Sequence, residues 1–173
     1  MEFESNLSGP RSIAIDDGQM RRAPWRIEQW YCFLRMATGI DLSRLHAGLK
    51  GTTEVTVGEE HTAPQVGSGR IHVLATPVMI NLIEAAALAA VEHLLPAGHQ
   101  SLGTHLDVRH IAATPVGMKA YASAELVKIE GRTLSFRVEA RDEAELIGDG
   151  VHERVVVNVE RFDLRVQRKV GPR

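Results

Sequence analysis

One long apolar segment limits what this chain can fold into. Residues 77–95 read PVMINLIEAAALAAVEHLL. Thr76 stands at the N-cap position before Pro77, and Pro96 and Gly98 follow the segment, which together are the start and stop signals of a helix. Its middle is apolar all round, and a helix of that kind is buried on most sides. We therefore expect one long central helix over residues 77–95.

A segment of about 20 apolar residues is also long enough to span a bilayer. This one contains Asn81, Glu84, Glu92 and His93. A carboxylate in the middle of a membrane span costs several kcal/mol, so the segment is interpreted as the core helix of a soluble domain. We expect no membrane partner.

Segments with β character lie on both sides of the helix. Residues 52–57 and 71–75 are expected to be strands, joined by a loop over 61–68 that contains proline and glycine. After Gly98 the chain alternates with period two, up to a last strand over 151–162. The expected inward rows are Thr104, Leu106, Val108 and His110, then Met118, Ala120, Ala122, Ala124 and Leu126, then Leu134, Phe136, Val138 and Ala140.

Two glycine-containing pairs in this half of the chain, Glu130-Gly131 and Asp149-Gly150, are expected to be turns or bulges. Alternation with one apolar face is typical of an antiparallel sheet that is covered on one side. The element order therefore predicts an α+β domain in which an antiparallel sheet wraps around one long central helix.

The first 48 residues differ from the rest. They contain both tryptophans, the single cysteine Cys32 and several charge clusters, without clean periodicity. We interpret 1–48 as an N-terminal extension or arm and 49–173 as the folded domain.

The net charge and the cysteine count exclude several classes of protein. A net charge of -2 and a pI near 6.4 give no electrostatic case for nucleic acid. One cysteine can form neither an internal disulfide nor a cysteine-based zinc site. The N-terminus has no apolar core of the signal-peptide type, so a cytoplasmic location is expected.

Four side chains are candidates for chemistry, and each also has a structural explanation. Glu84 lies two turns into the apolar helix, where it either shares an exposed stripe with Asn81 or serves a function. His110 is either a core histidine bonded to backbone or a functional base. An N-cap role alone explains Thr76, and an exposed strand position explains Arg154.

Taken together, these residues belong to a wider pattern. Residues 49–173 resemble the fluoroacetyl-CoA-thioesterase-like family of hot-dog thioesterases. The matching stretches, in family order and spacing, are APQVGSG (63–69), LATPVMI (74–80), Glu84, SLGT (101–104), HIAATPVG (110–117), EGRTL (130–134) and IGDGVHER (147–154).

The resemblance implies a hot-dog fold, hydrolysis of an acyl-CoA thioester, and Thr76, Glu84 and His110 as catalytic residues. It also implies that Gly103 places a backbone N–H against the substrate and that Arg154 supports the site or the substrate. Hot-dog subunits usually form dimers with the active sites in the seam. The loop before the threonine departs from the fluoroacetyl-specific pattern, because residues 61–75 contain no Phe, Tyr or Trp.

These residue types suit thioester hydrolysis. A carboxylate can activate water or attack directly, a histidine can move the proton, and the threonine hydroxyl can attack or position. We expect the N–H groups of Val78 and Met79, at the positive end of the helix, to stabilise the oxyanion. The reaction needs no metal or other cofactor.

Helix geometry constrains how the three catalytic residues meet. Eight residues at about 1.5 Å each separate Thr76 from Glu84 by roughly 12 Å along one helix. We therefore expect a site shared across a homodimer, with two antiparallel helices bringing Thr76 of one subunit near Glu84 of the other.

Two other functions on the same fold suit this sequence less well. A non-catalytic acyl-CoA-binding protein would keep the groove without the catalytic residues, which are all present here. A hot-dog hydratase uses an Asp and a His close together, but Asp107 and His110 are three residues apart on a strand and face opposite ways. The acyl group and the thiol carrier, coenzyme A or protein-bound pantetheine, are left open by the sequence.

Overall fold

The computed structural model describes residues 39–169 and Gly171. One antiparallel sheet holds five strands in the spatial order β1-β3-β4-β5-β2. The strands are β1 (Lys50–Thr56), β2 (His99–His110), β3 (Lys119–Glu130), β4 (Thr133–Asp142) and β5 (Leu146–Asn158). The helices are α1 (Ala63–Val66), α2 (Thr76–Val91) and α3 (Val159–Gln167), with short 3-10 turns at Glu59–His61 and Glu92–Leu94. The expected α+β hot-dog architecture is confirmed.

Helix α2 packs closely on the sheet because its buried face is built from small residues. Ala86, Ala87 and Ala90 are buried there, and Gly51 of β1 lies directly beneath them. A Cβ at Gly51 would collide with the Ala86 carbonyl and the Ala90 nitrogen, so only glycine permits this approach. By length and composition alone the segment Thr76–Leu94 is apolar enough to cross a membrane, yet 33% of it is buried within this chain.

The start of α2 differs from the expectation by one position. The N-cap residue is Ala75, and Thr76 is the first helical residue, so the prediction that Thr76 caps the helix is wrong. No side chain caps this end. The threonine hydroxyl is therefore available to a partner outside the helix.

Several strand predictions also need correction. Residues 71–75 form only isolated bridges, Thr62 to Leu74 and Val73 to Pro115, because the loop is held by contacts to two other loops rather than by a strand. The loop expected at 61–68 contains the single-turn helix α1. The expected strand over 151–162 ends at Asn158, whose side chain accepts a hydrogen bond from the Arg161 N–H and so starts α3.

The pair Asp149-Gly150 lies inside β5 and is not a turn or bulge. Gly150 is required there for another reason, since a Cβ would collide with the Asp107 carbonyl of β2. The turn at Glu130-Gly131 is confirmed, with Gly131 at a φ of 59°.

The core-packed chain begins before Leu49. Leu45 is 6% exposed, and Ile40, Leu42 and Leu49 pack against the same core. The compact unit accordingly begins at Ile40, so the last part of the expected extension packs with the sheet and α2. Residues 1–38 lie outside the described residues.

Two truncations are expected to behave differently. A chain starting at Met36 keeps Leu45 and should retain the melting temperature and turnover of the full chain. A chain starting at Leu49 loses Leu45, and removal of a buried leucine costs about 2–5 kcal/mol. Thermal denaturation of both proteins tests this, and equal melting temperatures would show that Leu45 does not contribute to the core.

Candidate functional site

The site residues expected from the sequence fall into two groups in this chain. Thr76 pairs with His110, while Glu84 lies among Gly103, Arg154 and a further residue of β5 that the sequence did not indicate. In the described part of the chain no hydrogen bond or ion pair joins the two groups.

Thr76 and His110 form a direct contact. The Thr76 Oγ1 lies 2.8 Å from His110 Nδ1, joining the first residue of α2 to the last residue of β2. The loops beside them are also linked, since the Leu74 N–H donates to the Thr114 carbonyl at 2.8 Å. This link fixes the chain before α2 against the chain after β2.

The environment of His110 favours the neutral imidazole. Burial lowers its pKa, and an interaction with the backbone of Ala112 only partly offsets that effect. Nε2 is buried and has no hydrogen-bond partner among residues 39–169. Of the two neutral tautomers of His110, the one with its lone pair on Nδ1 can accept a hydrogen bond from the Thr76 hydroxyl, which is the geometry of a nucleophile and its base.

Glu84 is neither a freely solvated residue nor a fully buried one, since 36% of its side chain is exposed. Its Oε1 lies 3.5 Å from Arg154 Nη1. Gly103 lies directly beside it, and a Cβ at that position would collide with Glu84 Oε1. Glycine at position 103 therefore leaves the space that the carboxylate occupies.

A β-bulge explains why Gly103 and His110 share one face of the sheet. Residues seven apart on a regular strand point to opposite faces. The register of β2 against β5 shifts between Gly103 and His105, so Thr104 is the extra residue and Gly103 faces the helix together with His110. The expectation that Thr104 shares the row of His110 is therefore wrong.

Arg154 is buried, with 4% of its surface exposed, so its interpretation as an exposed strand residue is wrong. Its Nε donates to Ser101 Oγ at 2.9 Å and its Nη2 to the Ser101 carbonyl at 2.8 Å. Ser101 is held in turn by Glu92, which accepts from its N–H and its hydroxyl. Arg154 thus faces Glu84 as a fixed cation.

His152 is the residue that sequence reasoning missed. It is completely buried, and its Nε2 lies 3.8 Å from Glu84 Oε1 and 3.2 Å from Arg154 Nη1. The signal was the spacing, since His152, Arg154 and Val156 occupy alternate positions of β5 and therefore face the same side.

The expectation that the Val78 and Met79 N–H groups stabilise an oxyanion is wrong. Both donate to the Ala75 carbonyl, at 3.0 and 3.1 Å, and Met79 is fully buried. Ala75 donates to the His61 carbonyl, and Pro77 has no N–H. Within the described chain this leaves the Thr76 N–H as the free donor of the first turn.

Comparisons with known proteins agree with this fold. Residues 57–160 match the family model of the fluoroacetyl-CoA-specific thioesterase. The fluoroacetyl-CoA thioesterase of Streptantibioticus cattleyicolor is 45% identical over 97 residues, which are 56% of this chain and 70% of that protein.

Solved structures give the same result. A fluoroacetyl-CoA thioesterase structure superposes with a TM-score of 0.69 at 37% identity, covering 72% of this chain and 97% of that one. A thioesterase superfamily member from Thermus thermophilus gives 0.67 at 28% identity, covering 71% and 91%. A hot-dog-like protein from Thermanaerovibrio acidaminovorans, at 21% identity and a TM-score of 0.69, covers 76% and 97% and agrees in fold.

Proposed function

This chain belongs to the fluoroacetyl-CoA-specific thioesterase family, and from that premise we propose that it hydrolyses a small acyl-CoA thioester with Thr76, His110 and Glu84. The observation that carries the proposal is the 2.8 Å contact between Thr76 Oγ1 and His110 Nδ1. A hydroxyl against a neutral imidazole is the arrangement that covalent acyl transfer needs.

In the first step the Thr76 oxygen attacks the thioester carbonyl carbon and its proton passes to His110 Nδ1. The free Thr76 N–H at the positive end of α2 supports the oxyanion. The Gly103 backbone N–H is the second donor, which is the role that the resemblance to the family implies for this residue. The carbon–sulfur bond then breaks, and His110 returns the proton to the leaving thiolate.

In the second step the ester on Thr76 is hydrolysed. Glu84 takes a proton from water, and the resulting hydroxide attacks the ester carbonyl. The ester bond breaks, and the proton passes to the Thr76 oxygen. The carboxylate is held in place for this task by the Arg154 cation at 3.5 Å.

The Glu84 that serves each Thr76 comes from the partner subunit of a homodimer. Thr76 and Glu84 are separated by two turns of α2, roughly 12 Å, and belong to separate groups in one chain. The side chains of Ile80, Leu82 and Leu88 on α2 are only half-buried within one chain, so an apolar surface is left for a second helix.

Substitutions at Thr76 separate its hydroxyl from its position. Thr76→Ser keeps the oxygen that contacts His110 and should retain most of kcat. Thr76→Ala removes the nucleophile, and kcat should fall about a hundredfold or more. Steady-state thiol release measures kcat of both variants. An equal loss of kcat in the two would show that the hydroxyl takes no part in the reaction.

The loop before Thr76 bears on the acyl group. It exposes Val66 and Ile71 and contains no Phe, Tyr or Trp over 61–75. We therefore expect no strong preference for fluoroacetyl over acetyl, with kcat/KM values within about tenfold of each other.

A panel of acyl-CoA and pantetheine thioesters, assayed by thiol release, tests the proposed function. Turnover of one or more short acyl-CoA thioesters, lost in Thr76→Ala, is the expected result. Absence of turnover across the panel by the folded protein would contradict it.

A further inference from the structure

Resting on the proposed function, we propose that His152 is a positioning residue, which holds the Arg154 guanidinium in place so that Arg154 in turn orients the catalytic Glu84. The geometry of the His152, Arg154 and Glu84 side chains carries this inference.

The tautomer of His152 follows from its two partners. Its Nδ1 lies 2.9 Å from the His105 carbonyl, which only accepts hydrogen bonds, so Nδ1 carries the proton. Its Nε2 lies 3.2 Å from Arg154 Nη1, which only donates, so Nε2 presents its lone pair. His152 is therefore a neutral acceptor for Arg154.

The surroundings keep the ring neutral and fixed. Burial lowers the pKa of His152, and the Arg154 cation lowers it further, against the opposing effects of the His105 carbonyl and Glu84. The ring is completely buried and stacks on Phe136, with the centroids 6.2 Å apart. Its lone pair therefore has a constant direction.

His152 completes the set of acceptors around Arg154. Ser101 accepts from Nε and Nη2, which leaves Nη1 as the group that faces the site. Nη1 lies between His152 Nε2, at 3.2 Å, and Glu84 Oε1, at 3.5 Å. Without the imidazole lone pair, the Glu84 carboxylate is the one acceptor near Nη1 among the described residues, and no second acceptor holds Nη1 at its present position against that carboxylate.

Among the described residues, the same geometry leaves Arg154 as the one cationic partner of Glu84. His152 Nε2 is 3.8 Å from Glu84 Oε1, and because it carries a lone pair it offers the carboxylate no proton. Glu84 is thus oriented by Arg154 and keeps its lone pairs for water. Loss of His152 should act on the catalytic step more than on substrate binding.

Two substitutions separate positioning from packing. Glutamine places an amide oxygen near the position of Nε2, so His152→Gln can still accept from Arg154, whereas His152→Leu fills the space without an acceptor. We expect His152→Leu to lower kcat about tenfold to a hundredfold and His152→Gln to recover most of kcat. Because Glu84 acts on the ester of Thr76, KM should fall together with kcat, so that kcat/KM changes little. Thermal denaturation is measured alongside.

The same substitution in Glu84→Gln protein tests whether His152 acts through Glu84. In Glu84→Gln protein, adding His152→Leu should lower kcat no further, because the group that His152 orients is already inactive. If His152→Leu does not fold, His152→Asn replaces it, since the shorter asparagine amide does not extend to the Nε2 position.

Other results would overturn the inference. These are equal kcat values for His152→Gln and the variant lacking the acceptor, a change in KM alone, or a further full loss in the Glu84→Gln background. Failure of the proposed function is distinguishable, because the wild-type protein would then release no thiol from the panel, or Glu84→Gln alone would retain wild-type turnover.

Discussion

Replacing His110 by alanine is expected to lower kcat for thioester hydrolysis at least about a hundredfold while the protein stays folded. The variant removes the only side chain that hydrogen-bonds to the Thr76 hydroxyl within the described chain, at 2.8 Å. His110 is half-buried at the end of β2, so its loss does not open the core. His93→Ala is the matched control, because that histidine is exposed just after α2.

The pH profile checks the same residue independently. Burial lowers the pKa of His110, so the imidazole stays neutral, and able to accept a proton, to lower pH than an ordinary histidine. The acidic limb of kcat assigned to His110 should therefore lie below about 6.5, with activity falling as the pH falls through it. An acidic limb above that value would contradict this assignment, and so would a His110→Ala variant with full activity.

Replacing Glu84 by glutamine is expected to stop the second step rather than the first. The amide keeps the shape of the side chain beside Gly103 but cannot take a proton from water. We expect kcat to fall at least about a hundredfold. Because the attack by Thr76 is still possible, the acyl group should remain on Thr76, where intact-mass spectrometry and peptide mapping would find it.

Two control variants accompany the Glu84→Gln experiment. Glu54→Gln, on β1, removes an exposed carboxylate that pairs with Lys119 away from the site, and should keep its turnover. The double variant Thr76→Ala/Glu84→Gln should carry no acyl group. An inactive Glu84→Gln protein that never acquires the acyl mass would assign water activation to the first step and remove Thr76 as nucleophile.

The fold was largely predictable from the sequence because two periodicities are clear in it. The apolar segment predicted a helix layer and the alternating rows predicted a sheet layer, and the structure has both layers. The local errors came from contacts that the alternation pattern does not encode. Gly150 looked like a turn residue but is needed for close strand approach, and the side chain of Asn158 starts a helix where alternation predicted more strand.

The sequence predicted which residues belong to the candidate site better than it predicted the contacts between them. Thr76 at a helix start has a sufficient structural explanation, and only the structure shows that its hydroxyl contacts His110 instead of capping. Alternation with Val156 places Arg154 on the inward face of β5. Its burial as a charged group depends on Ser101, 53 residues earlier in the chain, and no local pattern indicates that partner. His152 was overlooked because its hydrogen-bond partners are not its direct neighbours in the sequence. One is the His105 carbonyl on β2, and the other is Arg154, two residues further along β5.

The central claim is that each site combines Thr76 and His110 of one subunit with Glu84 of the partner subunit. Mixing two inactive variants tests it most directly. His110→Ala and Glu84→Gln proteins are unfolded together, refolded, and assayed for thiol release. A heterodimer would then contain one intact site, because the His110→Ala chain supplies Glu84 to the chain that keeps His110.

Random pairing makes half of the dimers heterodimers with one of two sites intact, so the mixture should recover about a quarter of wild-type turnover. If all three residues acted within one chain, both sites of every dimer would be defective. Activity in the mixture no higher than the average of the two separately refolded variants would contradict the shared site.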